Sequence, residues 1–259
     1  MLLFLIRGGN MIYIPVIIKS SDVWRDDFEG NSLDTGKWEI RTGSYDPDYH
    51  LAENITVKDS NLIITTKRED MGVLHYTSGW ITSKQSWTYG RFEARIKLPI
   101  GKGLWPAFWL KPAKNVYGEG VISGELDIME LWGDKPYQVK GTIHYGLPWK
   151  YISTSYNLQK GTFKDDYHIF RLDWNKNKIE WYVDNNLYKI ETNWYSSKDG
   201  KVKFPKSQDG NLVKFPYPAP FDQKFNIILN VGIWKELPPD ENTIFPVSML
   251  VDYVTHIYP

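Results

Sequence analysis

Short runs of β-branched and aromatic residues recur at roughly ten-residue spacing along the chain, cut apart by Gly, Asn, Asp and Pro, and this rhythm leaves room for little besides a sandwich or barrel of strands. Ile55-Thr-Val57 and Asn61-Leu-Ile-Ile-Thr-Thr66 flank Lys58-Asp-Ser60, which predicts a hairpin. Lys178-Ile-Glu-Trp-Tyr-Val183 and Leu187-Tyr-Lys-Ile190 flank Asp184-Asn-Asn186, residue types that tolerate left-handed turn positions. Arg91 to Leu98 alternates cleanly between apolar and polar. No stretch keeps a helical period, and there is no repeat or low-complexity linker. Tyr195 to Ala219, rich in Lys, Ser, Gly and Pro, is expected as a long surface loop. At 259 residues the chain suits one large domain.

Composition narrows the function. With 31 basic and 31 acidic residues the formal net charge is zero, which lacks the electrostatic footprint of a nucleic-acid or anionic-membrane binder. The absence of cysteine excludes a disulfide framework, a thiol nucleophile and a thiolate-held zinc. Aromatic residues are abundant, with 12 Trp, 17 Tyr and 11 Phe. They serve either a core of large side chains or contact with the CH faces of sugar rings. At the N-terminus, Met1 to Ile6 and Met11 to Ile18 are apolar but are interrupted by Arg7-Gly-Gly-Asn10, so neither reaches the roughly 18 residues of a membrane span. Residues 1–20 are therefore set apart as a leader or, at Tyr13 to Ile18, a first strand, although there is no basic leader and no clear small-x-small cleavage site. Residues 21–259 are expected to form a single β-sandwich domain.

Gly124-Glu-Leu-Asp-Ile-Met-Glu-Leu-Trp-Gly133 carries the chemistry. In a strand, Glu125 and Asp127 point to one face and Leu126 and Ile128 to the other. Strict alternation would bury Glu130 among the apolar residues, at the cost of an unpaired carboxylate. One β-bulge near Ile128 or Met129 shifts the phase and returns Glu130 to the face of the other two acids, with Leu131 inward and Trp132 outward. Two carboxyl groups about 5–5.5 Å apart, one nucleophile and one acid/base, hydrolyse a glycosidic bond with retention. Five residues of strand span about 16 Å, less after a bulge, and long Glu side chains leaning together close much of that gap. A third acid between them would set their protonation, because close carboxylates push each other's pKa values apart. The plain alternative is a solvated, salt-bridged acidic face.

Glu-x-Asp-x-x-Glu in Gly124 to Glu130 resembles the catalytic signature of glycoside hydrolase family sixteen, in its bulged, laminarinase-like form. Further segments resemble the family in the same order: Trp24-Arg-Asp-Asp-Phe-Glu-Gly30, Tyr76-Thr-Ser-Gly79, Trp87 to Pro99, Gly103-Leu-Trp-Pro-Ala-Phe-Trp-Leu110, Gly141-Thr-Ile-His144, Trp181-Tyr-Val-Asp184 and Met249-Leu-Val-Asp-Tyr-Val254. The resemblance implies an all-β jelly-roll sandwich of two curved antiparallel sheets, concanavalin-like, with an open concave cleft. It implies a secreted, monomeric endo-β-glucanase acting on a linear β-glucan, with no cofactor needed for chemistry. By the same resemblance Glu125 is the nucleophile, Glu130 the general acid/base and Asp127 the assisting carboxylate, with His144 beside the acid/base. Trp105, Trp109, Trp132, Trp80 and Trp234 are implied as substrate-binding aromatics, with core packing as the alternative for Trp105, Trp109 and Trp132, above all for Trp105. Glu29 and Asp252 lie in segments resembling those that hold a structural calcium away from the cleft.

Departures from the pattern bear on substrate. Ser78-Gly-Trp80 stands where laminarinase-like relatives tend to have Ser-Gly-Arg, which predicts a stacking surface in place of a charged donor. Leu229 to Pro239 looks shortened, and Glu39 to Leu51 lacks an Asn-rich loop pattern. These leave the linkage open among β-1,3-glucan, mixed-linkage β-1,3-1,4-glucan and a galactan. A non-catalytic β-glucan-binding lectin of the same fold is the alternative from another class, although it would have no need of all three acids.

Overall fold

A computed structural model describes residues 2–7, 10–15, 23–146, 149–194 and 218–258, and for residues 2–15 the strand placement alone. The strands are β1 (Leu2–Arg7), β2 (Asn10–Pro15), β3 (Val23–Asp26), β4 (Trp38–Ile40), β5 (Gly43–Tyr45), β6 (Asp48–His50) and β7 (Ile55–Lys58). They continue with β8 (Asn61–Met71), β9 (Leu74–Ser78), β10 (Trp80–Trp87), β11 (Gly90–Lys97), β12 (Leu104–Pro112), β13 (Glu125–Glu130) and β14 (Gln138–Tyr145). The last are β15 (Lys150–Asn157), β16 (His168–Trp174), β17 (Ile179–Val183), β18 (Asn186–Glu191), β19 (Phe225–Ile233) and β20 (Val247–Ile257). Among the described residues there is no α-helix.

Two large sheets face each other as a jelly-roll sandwich. The seven-stranded sheet runs β15-β14-β13-β12-β19-β10-β4 and carries the cleft on its outer, concave face. The eleven-stranded sheet runs β18-β17-β16-β11-β20-β8-β9-β6-β5, with β3 beside β20 and β7 beside β8. Every pairing is antiparallel except β6 with β9. Within residues 1–20, β1 and β2 form a two-stranded sheet of their own, and the expected strand at Tyr13 to Ile18 lies partly outside the described residues.

Local chemistry accounts for the elements. In β11, Phe92, Ala94 and Ile96 are fully buried and alternate with half-exposed polar residues. The turn between β7 and β8 has Asp59 and Ser60 at φ 51° and 53°, and that between β17 and β18 has Asp184 and Asn185 at 47° and 66°. Two left-handed residues make the tight turn whose twist suits a hairpin, and Asp and Asn accept that conformation. Asn186 consequently belongs to β18 and not to the turn.

The segment Glu39 to Leu51, expected as loop, contains the β5–β6 hairpin. Residues 195–217 of the expected long loop lie outside the described residues, while Trp194 Nε1 donates to Pro218 O at 2.8 Å. The core between the sheets contains Leu126, Ile128, Met129 and Leu131 from the motif segment, with Phe92, Phe170, Leu172, Trp174 and Trp181 from the opposing sheet. Burying large apolar side chains of this kind contributes about 1.5–3 kcal/mol each.

Candidate active site

The bulge required by the carboxylate spacing is present at Ile128. Trp109 pairs with Asp127 and Phe108 with Met129, so Ile128 has no partner on β12. On the other side Asp127 pairs with Thr142 and Glu130 with Lys140, three steps of β13 against two of β14. Directly opposed residues share a face, so Glu125, Asp127 and Glu130 stand with His144, Thr142 and Lys140 on the concave surface. Leu131 is buried and Trp132 half-buried, as the phase shift predicts.

A bulge interrupts the ladder, and the opposing sheet compensates. Trp181 Nε1 crosses the sandwich and donates to Asp127 O at 2.8 Å. Lys189 Nζ, fully inside, donates to Gly141 O at 3.0 Å and Ile152 O at 2.5 Å. A Cβ at Gly141 would lie 2.5 Å from both Trp181 Cδ1 and Tyr188 OH, so only glycine permits this approach. Trp181 and Lys189 support the site from beneath and were missed as site residues. Trp181-Tyr-Val-Asp184 lay within a recognised segment, but no local pattern points an inward residue at a strand of another sheet.

Glu130 accepts from Trp105 Nε1 at 3.0 Å, and Thr142 Oγ1 lies 3.5 Å from its other oxygen. Burial, reinforced by the charge of Asp127, pushes the Glu130 carboxyl up to about 8. Burial and then Asp127 also raise Glu125, and burial raises Asp127 while Lys189 pulls it back. The three carboxyls therefore share fewer than three negative charges near neutrality. Glu125 keeps 29 % of its side chain exposed against 5 % for Asp127, so water stabilises charge on Glu125 most readily.

His144 differs from its expected place beside the acid/base. Its partner across the β13–β14 ladder is Glu125, and its Nε2 lies 3.1 Å from Asp127 Oδ2 and 3.8 Å from Glu125 Oε1. The register dictates this, because the acid/base candidate Glu130 is opposed by Lys140, four residues away on the same strand.

A cleft of about 300 Å³ includes Trp105, Trp109, Glu125, Asp127, Glu130, Asn230 and Trp234 in its lining. Trp105, Trp132 and Trp234 form one group, with Trp105 and Trp132 stacked at 6.1 Å and Trp234 edge-on to both. Trp109 is held by Nε1 donating to Asn230 Oδ1 at 2.8 Å. Trp105 is a cleft residue, whereas Trp38, Trp87, Trp174 and Trp181 supply the core.

Trp80 departs from expectation: it borders the cleft but is only 4 % exposed. Tyr45, His50 and Trp109 surround its ring, and the Arg41 guanidinium lies 4.7 Å over it. It is a supporting wall, not an open stacking face. Sequence reasoning passed over Trp149 and Tyr151, which are 57 % and 60 % exposed at the β14–β15 edge, beside His144.

Glu125, Asp127 and His144 are the one cluster of three or more acids and histidines, among the described residues, compact enough for a metal. Glu29 is exposed, and Asp252 Oδ2 is held by Arg95 Nη1 at 2.7 Å. A guanidinium takes one of the two Asp252 oxygens, and neither acid joins a compact group of three or more acids and histidines among the described residues, so this pair as arranged supplies no calcium cage. No helix of the described residues is long and apolar enough to cross a membrane.

A β-sandwich whose concave sheet aims paired, buried carboxyls into an aromatic cleft defines a glycoside-cleaving class of protein. Comparison with known proteins agrees: residues 44–219 match the model of glycosyl hydrolases family 16, and the chain belongs to that family. It is 34% identical over 93% of its length to a glucan endo-1,3-beta-glucosidase A1 of Niallia circulans, of whose length it spans 38%. It is 32% identical over 90% of its length to a beta-glucanase of Rhodothermus marinus, covering 83% of that protein. Among solved structures, the laminarinase catalytic domain of Thermotoga maritima superimposes with a TM-score of 0.75 at 30% identity, over 91% of this chain and 97% of the other.

Proposed function

We propose that this chain is a retaining endo-β-glucanase that hydrolyses internal β-1,3 linkages of a linear glucan, of laminarin or mixed-linkage type. The observation that carries the reading is the Ile128 bulge, which turns Glu130 onto the face of Glu125 beside an open cleft. The names of the glucanase relatives support the substrate class.

In the first step the Glu125 carboxylate attacks the anomeric carbon while Glu130 gives its proton to the departing oxygen. The raised proton affinity of Glu130 keeps it an acid at neutral pH. In the second step Glu130, now a carboxylate, takes a proton from water, which displaces Glu125 and restores the β configuration. Asp127, close to His144, moderates the charge of its neighbours. The enclosed tryptophan flank suits the glycosyl half, which must be held through both steps, and the open β14–β15 flank suits the half that leaves. All the groups come from one chain, which suits a monomer, and a polymeric substrate suits action outside the cell.

Incubation with laminarin, barley-type mixed glucan and agarose, scored by reducing ends, tests the substrate class. Proton NMR of the first anomer released should show β. An initial α product removes Glu125 from the nucleophile role, and cleavage of agarose alone replaces the glucan reading with a galactan one.

A further inference from the structure

His144 meets three neighbours, and one of them decides where its proton sits. Its Nε2 faces Asp127 and Glu125, while its Nδ1 lies 3.2 Å from the indole nitrogen of Trp149. The two rings lie nearly parallel, with centroids 5.8 Å and planes 19° apart. Tyr151 covers the same corner, 5.8 Å from His144 and 5.6 Å from Trp149.

An indole N–H donates and never accepts. Nδ1 of His144 must therefore present its lone pair, and the neutral ring must carry its hydrogen on Nε2. The nitrogen that carries that hydrogen lies 3.1 Å from Asp127 Oδ2, a buried oxygen without a hydrogen-bond partner. A second proton on the ring would have to enter at Nδ1, where it would confront the Trp149 N–H and break the contact.

We propose that Trp149 is a positioning residue: its indole N–H fixes the tautomer of His144, with the hydrogen on Nε2, and so turns the donor side of the ring towards Asp127 and Glu125 at the catalytic strand.

The test reads the imidazole directly. Nitrogen–proton correlation spectra of the free protein, with His144 assigned by comparison with His144→Asn, should show the neutral ring with Nδ1 bare and Nε2 protonated. Trp149→Phe keeps an aromatic ring but loses the donor. In that variant the neutral ring should divide between the two tautomers, with part of the hydrogen moved to Nδ1. On laminarin kcat should fall about fivefold with KM little changed.

A wild-type spectrum in which the neutral ring carries its proton on Nδ1 overturns the proposal without any variant. An unchanged tautomer ratio in Trp149→Phe overturns it too. The kinetic arm rests on the glucanase reading, whereas the spectrum does not, so inactivity towards glucans would sink that reading and leave the spectrum to decide this one.

Discussion

The two flanks of β13 are built on opposite principles. Towards β12, β19 and β10 the concave sheet is walled by Trp105, Trp109 and Trp234, with indole N–H groups already committed to Glu130 and Asn230. Towards β14 and β15 it ends in an edge strand whose residues alternate between exposed and half-exposed, with Trp149 and Tyr151 open to water. One flank has its indole donors committed to Glu130 and Asn230 before substrate arrives, and the other offers exposed aromatic faces, with the Trp149 N–H committed there to His144. Preorganised donors stabilise charge as it develops, whereas exposed rings contribute contact area, so loss of a committed donor should appear in kcat and loss of an exposed face, as at Tyr151, in KM.

The largest effect should come from the residues that both flanks serve. Glu125→Ala should lower turnover of polysaccharide by roughly 10⁵-fold or more, and azide filling the vacated space should yield the α-glycosyl azide from a β-configured aryl donor. Glu130→Ala should lose roughly 10²–10⁴-fold on polysaccharide yet keep the first step on an activated aryl β-glucoside oligomer, with azide giving the β-glycosyl azide. Product NMR distinguishes the anomers, and the same azide anomer from both variants would undo the assignment of roles.

Next, Trp105→Phe isolates the committed flank. The Trp105 hydrogen bond favours ionised Glu130, so its removal should move the alkaline limb of kcat/KM to higher pH. The kcat should fall roughly tenfold, the scale of a hydrogen bond to a charged group. An alkaline limb that stays at its wild-type position would mean that this flank does not act on the Glu130 proton.

Tyr151→Ala tests the uncommitted flank and should be smaller. KM for laminarin is expected to rise about fivefold with kcat unchanged, while a short aryl glycoside that does not reach β15 is unaffected. Initial-rate kinetics on the two substrates decide it, and equal losses on both would place Tyr151 closer to the reacting bond.

The smallest expected effect is on stability. Glu130 holds its proton more tightly folded than unfolded, so between about pH 4.5 and 8 the native state binds more protons and unfolding free energy falls as pH rises. Glu130→Gln should flatten that decline. Melting temperatures at pH 5 and pH 8 measure it, and an equal drop in wild type and variant would assign the decline to other groups.

Much of this was readable before any coordinates. The phase conflict at Glu130 demanded a bulge, and the hairpin turns at Asp59 and Asp184 followed from which side chains accept left-handed backbone. Other parts were not legible. Trp80 sits in a segment where relatives carry a charge, which suggested an open face, but Arg41, Tyr45 and His50 arrive from elsewhere in the chain to cover it. Glu29 and Asp252 were paired by segment resemblance, and a cross-strand contact with Arg95 claims Asp252 instead.

The sequence by itself determined the strand rhythm, the carboxylate triplet and the face on which it stands, because alternation and the cost of burying an unpaired acid act within one strand. Tertiary structure alone decided what surrounds that triplet. The β13–β14 register put His144 opposite Glu125, the packing of the two sheets brought Trp181 and Lys189 beneath the catalytic strands, and the return of β15 set Trp149 against His144. Those contacts join residues far apart in the chain or across a turn, and their proton affinities follow from burial, a property of the assembled sandwich that local order does not contain.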